Sequence, residues 1–247
     1  MNGDVDLQGK SCIVTGSSSG IGEAIARRLD GLGAGVVVNS ATSVEAGEAV
    51  AASLRNAIYV QGDIGEPAVA DALVGAAVER WGRLDGLVNN AGRTVPVPLD
   101  DIAAVTPEHW DTVLRTNVIG SFLISQAALP HLSDSDDGWI VNIGSIAGVR
   151  QTGSSLPYAV SKAALHHLTT ILAKFSGTVR VNAIAPGLVD TPWTEEWDIQ
   201  RQFVTGVTPL KRTATADDVA DATMGIIASR YATGQILVVD GGLSVMI

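Results

Sequence analysis

The 247-residue chain has a single cysteine, Cys12, so no disulfide can form within it and a reducing compartment is expected. It is also poor in positive charge: 16 Lys and Arg against 26 Asp and Glu give a formal net charge of −10. Nucleic acid and anionic membranes are thereby excluded as partners, since both are bound through basic surface. No apolar run approaches the roughly 18 residues that span a bilayer. Residues 1–10 are polar and acidic, without the apolar core of an export leader, so a cytoplasmic location is expected. Repeats, low-complexity tracts and Pro/Gly linkers are absent, and residues 1–247 therefore read as one domain. The histidines, His109, His131, His166 and His167, have no carboxylates or cysteines at ligand spacing. No metal is expected, and exposed helical positions are the reading for all four. Cys12 falls in an apolar run and reads as buried packing rather than a reactive thiol.

What is present is 46% hydrophobic and 17% charged, a composition that suits a compact α/β protein. Short β-branched runs at 11–15, 35–39, 57–60, 86–89, 139–143, 179–183 and 236–239 read as strands. Helices are expected at 20–32, 43–55, 66–82, 107–130, 157–175 and 216–228. Continuous apolar strands separated by helices indicate a doubly wound parallel sheet, with ligands beyond the strand C-termini. Two segments fit neither pattern, 93–106 and 188–210; both are expected to be active-site loops, the second a substrate lid.

The first strand runs into Gly16, Gly20 and Gly22 and then into a helix. Glycines there let the backbone approach a ligand, and the helix start offers free N–H groups to a pyrophosphate. Tyr158 and Lys162 are four residues apart, on one helical face. A nearby cation favours phenolate, so the Tyr158 pKa is expected to fall towards neutrality and suit acid–base work.

These motifs, with Asn89-Asn90-Ala91-Gly92, Asn117, Ser145 and Pro186-Gly187 in order along nearly the whole chain, resemble the short-chain dehydrogenase/reductase family. The resemblance implies a Rossmann-type fold with a mostly seven-stranded parallel sheet, and an NAD(P)-dependent oxidoreductase acting between a carbonyl and a secondary alcohol. It implies Tyr158 as general acid or base, Lys162 as its partner and as a ligand of the nicotinamide ribose, Ser145 as donor to the substrate oxygen, and Asn117 as anchor of a water relay. Cofactor contacts are implied for Gly16, Ser18, Ser19, Gly20, Ile21, Asn39, Ser40, Ala41, Thr42, Asp63, Ile64, Asn90, Ala91, Gly92, Tyr158, Lys162, Pro186, Gly187, Val189 and Thr191. It also implies a homotetramer built through the helices near 107–130 and 157–175.

Ser40 stands where an acid would repel a 2′-phosphate, so NADP(H) is favoured, while NAD(H) stays open. No arginine or lysine lies in the segments matched to the adenosine end. The substrate is expected to be a small molecule touching Ser145, Tyr158, Trp193 and Trp197, the two tryptophans sharing one helical face. A 3-ketoacyl-(acyl carrier protein or CoA) reductase is the alternative. Asp134, Asp136 and Asp137 before the fifth strand count against it, as they would repel an acidic carrier. A catalytically silent dinucleotide sensor is the alternative of another class, disfavoured by the intact Ser145, Tyr158 and Lys162. Nucleotide-sugar epimerases are disfavoured by the short segment after Gly187.

Overall fold

The computed structural model describes residues 6–246; residues 1–5, part of the polar N-terminus noted above, and Ile247 lie outside the described residues. The elements run β1 Ser11–Val14, α1 Gly20–Gly31, β2 Gly35–Ser40, α2 Val44–Ser53, β3 Ala57–Gln61, α3 Pro67–Trp81, β4 Gly86–Asn89, α4 Pro107–Leu114, α5 Ser121–Ser133, β5 Trp139–Ile143, α6 Leu156–Phe175, β6 Arg180–Pro186, β7 Val189–Asp190, α7 Asp198–Val207, β8 Ala214–Thr215, α8 Ala216–Ala228 and β9 Ile236–Val239. Seven strands form one parallel sheet in the order β3-β2-β1-β4-β5-β6-β9. The order reverses between β1 and β4, and that reversal opens a crevice above their C-terminal ends.

Alternating strand residues feed two cores. Cys12, Val14, Val36, Val38, Val141 and Ile143 pack against α1, α2 and α8 on one face. Ile13, Val37, Leu87, Ile140 and Val181 meet α3 and α5 on the other. Covering both faces explains why the strands are apolar throughout rather than alternating. Cys12 is fully buried, and burial pushes its thiol pKa far up.

The helix expected over 107–130 is interrupted. Residues Arg115–Gly120 form a π-helical stretch, and the helix then continues to Ser133. Two contacts account for the irregularity. Asn117 is drawn into buried hydrogen bonds with Arg93 and Ser161. A Cβ on Gly120 would lie 2.8 Å from Ile64, so the chain there packs without room for a side chain. Widened turns of this kind gather at functional sites.

The segment 188–210 folds as β7, a 3-10 turn Pro192–Thr194 and α7, with β7 pairing β8 in a separate two-stranded sheet. Trp193 lies in the 3-10 turn and Trp197 precedes α7, so the shared helical face expected for them does not form. Among the described residues no helix is long and apolar enough to cross a membrane.

The loop holding Asp134, Asp136 and Asp137 precedes β5 and therefore lies at the N-terminal edge of the sheet, away from the crevice. Asp136 pairs with Lys10 at 3.2 Å, and Asp137 with Arg180 at 3.1 Å. The repulsion expected from this loop acts at the wrong end of the molecule to oppose a partner at the crevice.

Candidate active site

A cleft of about 970 Å³ lies over the switch point. Every residue implied above as a cofactor contact lines it, together with Ser145, Trp193 and Trp197. Asn117 is fully buried beneath it and does not line it.

The floor is stitched from two loops. The Thr15 hydroxyl accepts from the main-chain N–H groups of Asn90 and Ala91, each at 3.0 Å. Asn90 Nδ2 donates back to the carbonyls of Thr15 and Gly16 at 3.0 and 2.9 Å. The approach demands glycine: a Cβ at Gly16, where φ is +60°, would sit 2.8 Å from Ala91 Cα, and one at Gly22 would sit 2.5 Å from the Gly16 carbonyl oxygen. No side chain caps α1, and Ser18, Ser19, Gly20 and Ile21 face the cleft at its start. Uncapped amides beside a glycine cradle suit a pyrophosphate, so the residues present fit a dinucleotide.

At the adenosine end, two polar side chains are already engaged. Asn39 is buried; its Oδ1 accepts from Gly16 N–H and its Nδ2 donates to the carbonyls of Val60 and Gly62. The Ser40 hydroxyl donates to the Ser43 carbonyl at 2.9 Å and accordingly accepts from Tyr59, 2.8 Å away. Thr42 is exposed at the rim. A basic group does reach this end, from another segment: Arg93, after β4, pairs with Asp63 at 3.2 Å across the crevice. Asn117 accepts from Arg93 N–H at 2.7 Å and donates to its carbonyl at 2.9 Å, which fixes that residue. Sequence reasoning missed Arg93 and Tyr59, which lie far along the chain from the residues they hold.

At the catalytic end, α6 begins with Ser155 capping the Tyr158 N–H and with Pro157 in the first turn. Lys162 is buried, and its ammonium donates to the Ile143 carbonyl at 2.8 Å, lying 5.7 Å from the Tyr158 ring centroid. Burial lowers the Lys162 pKa to about 8. The Tyr158 phenol is not lowered as expected: burial raises it, and the Ser145 hydroxyl only partly opposes the shift. Desolvation outweighs a cation directed at a carbonyl rather than at the phenol. Ser145 also caps the 3-10 turn Ile146–Gly148, accepting from Ala147 N–H at 3.1 Å. Trp193 meets Tyr158 edge-on, with ring centroids 6.3 Å apart.

His166 departs from the exposed position expected for it. It is buried one turn beyond Lys162, where the Gly148 main chain approaches its ring without forming a well-aligned hydrogen bond. Burial first, and the Lys162 charge second, lower its pKa to about 4 against a weaker opposing effect of the Gly148 backbone, so the ring is neutral at pH 7. Its spacing of eight from Tyr158 was a usable signal, since i, i+4 and i+8 share a face. The other three are intermediate or exposed, His109 accepting the Thr106 N–H at 3.3 Å. Among the described residues no cluster of His, Cys, Asp or Glu is placed to hold a metal ion.

Known proteins resemble this chain over nearly its full length. A family model described as Enoyl-(Acyl carrier protein) reductase matches residues 16–244. A Streptomyces violaceoruber protein named as ketoacyl reductase 2 of the granaticin polyketide synthase is 53% identical over 234 residues, covering 93% of this chain and 94% of its own. The 3-oxoacyl-(acyl-carrier-protein) reductase of Thermotoga maritima is 33% identical over 250 residues, covering 96% and 98%. Among solved structures, a short chain dehydrogenase from Burkholderia cenocepacia in complex with NADP is 36% identical with a TM-score of 0.90, covering 97% of this chain and 100% of that one.

Proposed function

The chain belongs to the short-chain dehydrogenase/reductase family and is an NAD(P)-dependent oxidoreductase acting on CH–OH/C=O groups; on that premise we propose that it reduces the β-keto group of an acyl chain held as a thioester, using NADPH. The observation that carries the proposal is the meeting of Ser145, Tyr158 and Lys162 with the glycine cradle along one cleft. A bound nicotinamide supplies hydride to the carbonyl carbon. Tyr158 gives its proton to the carbonyl oxygen as the alcohol forms, and its raised pKa keeps that proton in place until then. Ser145 donates to the same oxygen as charge develops there. Lys162, charged but desolvated, would hold the ribose of a bound dinucleotide and re-protonate Tyr158, itself regaining a proton from solvent water. Asn117 fixes Arg93 and, through Ser161, the first turns of α6.

The ketoacyl class, rather than a small ketone or polyol, is supported by the relatives' names and by the place of the acidic loop at the far end of the sheet. The apolar wall formed by Trp193, Trp197, Ile199, Phe203 and Leu243 suits an acyl chain. We assign residues 188–210 as the lid of a single domain, with Trp193 and Trp197 as substrate contacts. The absence of an acid at Ser40 supports NADPH, with the phosphate met by Thr42 and main-chain N–H groups because the Ser40 hydroxyl is engaged. The exposed Ile119 on the π-helical stretch, with Phe122, Val160, Ile171 and Phe175 on α5 and α6, supports a homotetramer built through these elements. A cytoplasmic location accords with the single buried cysteine.

The test is turnover of a β-ketoacyl N-acetylcysteamine thioester with NADPH and, separately, NADH. Reduction with NADPH, abolished in Tyr158→Phe, is expected. No turnover of the thioester alongside reduction of simple ketones would reject the acyl assignment.

A further inference from the structure

Tyr158, Lys162 and His166 project from one face of α6 in three successive turns, yet the chemistry above uses only the first two. The third lies under the turn that carries Ser145. A Cβ placed on Gly144 would fall 2.1 Å from His166 Nε2, and one on Gly148 would fall 2.8 Å from its Nδ1 and 2.7 Å from the Lys162 carbonyl carbon. The imidazole thus fills the space between the two glycines that bracket Ser145. Both ends of that turn are otherwise tied: Gly144 N–H donates to the Ile184 carbonyl at 2.7 Å, and Gly148 N–H to the Ser145 carbonyl at 3.0 Å.

His166 is only 5% exposed and makes no well-aligned hydrogen bond, the Gly148 main chain alone approaching its ring, so it is held there with little of the hydrogen bonding that normally compensates a buried polar ring. A flat ring is thin enough to lie between two closely approaching main chains, where a branched aliphatic side chain is too thick. We infer that His166 is a positioning residue: its imidazole is the spacer between α6 and the Ser145 turn, and it fixes the Ser145 hydroxyl against the Tyr158 phenol. Ser145 and Tyr158 come from different elements, and a spacer rooted on the same helix as Tyr158 holds the two in register. The inference rests on the roles given above to Ser145 and Tyr158.

The test is a size exchange. Gly144→Ala forces the turn off the ring, and His166→Ala lets it sag; each is expected to lower kcat about 10- to 100-fold, the scale of a misplaced catalytic group. Dinucleotide Kd, read by fluorescence titration, should stay within about twofold, because the cradle is untouched. The double variant Gly144→Ala/His166→Ala returns a methyl group to the vacated space and is expected to recover most of the loss. The phenol of Tyr158, titrated by ultraviolet difference absorbance against Tyr158→Phe blanks, gives a readout that needs no substrate. Its pKa should rise in each single variant and return in the double one. Wild-type kcat in the single variants, no recovery in the double, or a joint fall of melting temperature, dinucleotide affinity and kcat would each overturn the spacer. A wild type inactive on ketoacyl thioesters would instead count against the proposed substrate, and the phenol titration would still decide the role of His166.

Discussion

Asp85 and Lys162 are both buried, at opposite edges of the same sheet, and they are treated in opposite ways. At the N-terminal edge Asp85 accepts from Ser11 N–H at 2.9 Å, from Arg83 at 2.8 and 2.6 Å and from Ser135 at 2.6 Å, with Lys10 at 3.3 Å. Burial raises its pKa, but these hydrogen bonds and the Lys10 charge outweigh it and leave the carboxylate below its usual range. At the C-terminal edge Lys162 has one carbonyl and no carboxylate, and the neighbouring His166 has only the approach of the Gly148 main chain. One edge satisfies its charge and fixes strand starts; the other leaves charge and polarity under-compensated where a ligand binds. The difference separates the part of the molecule that maintains the fold from the part we propose performs the reaction.

The comparison is broken most sharply at Tyr158. Tyr158→Phe is expected to lower kcat by about 10²- to 10⁴-fold, the usual worth of a general acid, while dinucleotide Kd is unchanged in a binding titration. Asp85→Ala should do the reverse, costing about 3 kcal/mol in denaturant unfolding with kcat/KM of the folded enzyme preserved. A fall in kcat/KM there would mean that the two edges are not independent.

Lys162→Met is expected to abolish turnover and yet stabilise the ligand-free protein by about 3 kcal/mol, the lowered pKa measuring what burial of the ammonium costs. The sign follows from linkage. The Lys162 pKa is about 8 folded, below its unfolded value, so its charge destabilises at lower pH. The gap between variant and wild type should therefore close as pH rises from about 8 to 10.5. Asp85 runs the other way: its pKa is lowered on folding, so its contribution is present above its unfolded value of about 4 and is lost as pH falls through the folded one. The Asp85→Ala deficit should thus shrink in acid unfolding, and a deficit independent of pH would point to lost packing instead.

The smallest effect is expected at Arg93. Because it covers Asp63 at the adenosine end, Arg93→Ala should weaken NADPH by about three- to tenfold and NADH less, as an uncovered carboxylate repels the extra phosphate. Equal weakening of both would assign Arg93 to contacts the two cofactors share.

Strands and helices were legible because buried parallel strands are apolar at every position and their helices repeat between them. The glycine cradle after the first strand and the spacing of Tyr158 and Lys162 are marked by local pattern, whereas Ser145 is marked only through the family resemblance. What was misread depends on contacts distant in sequence. The π-helical stretch at Arg115–Gly120 is explained by hydrogen bonds to Arg93, 24 positions from Asn117, while the local apolar pattern remains that of an ordinary helix. The Tyr158 shift depends on enclosure, which spacing to Lys162 does not report. The acidic loop was a different kind of error. Its charges were counted correctly, but a loop that precedes a parallel strand lies at the opposite edge from one that follows it, and that was readable from order alone.

Cys12 has a practical consequence. It is the chain's only thiol, wholly enclosed by β1 and its neighbours, and burial holds it protonated far above neutral pH. Maleimides and mild oxidants need an accessible thiolate, so the native chain is inert to them. A cysteine introduced at Gln202, which is exposed on α7 and does not line the cleft, would be the single labelled position without any prior removal of Cys12. A fluorophore or spin label there would report whether α7 moves as dinucleotide and substrate arrive.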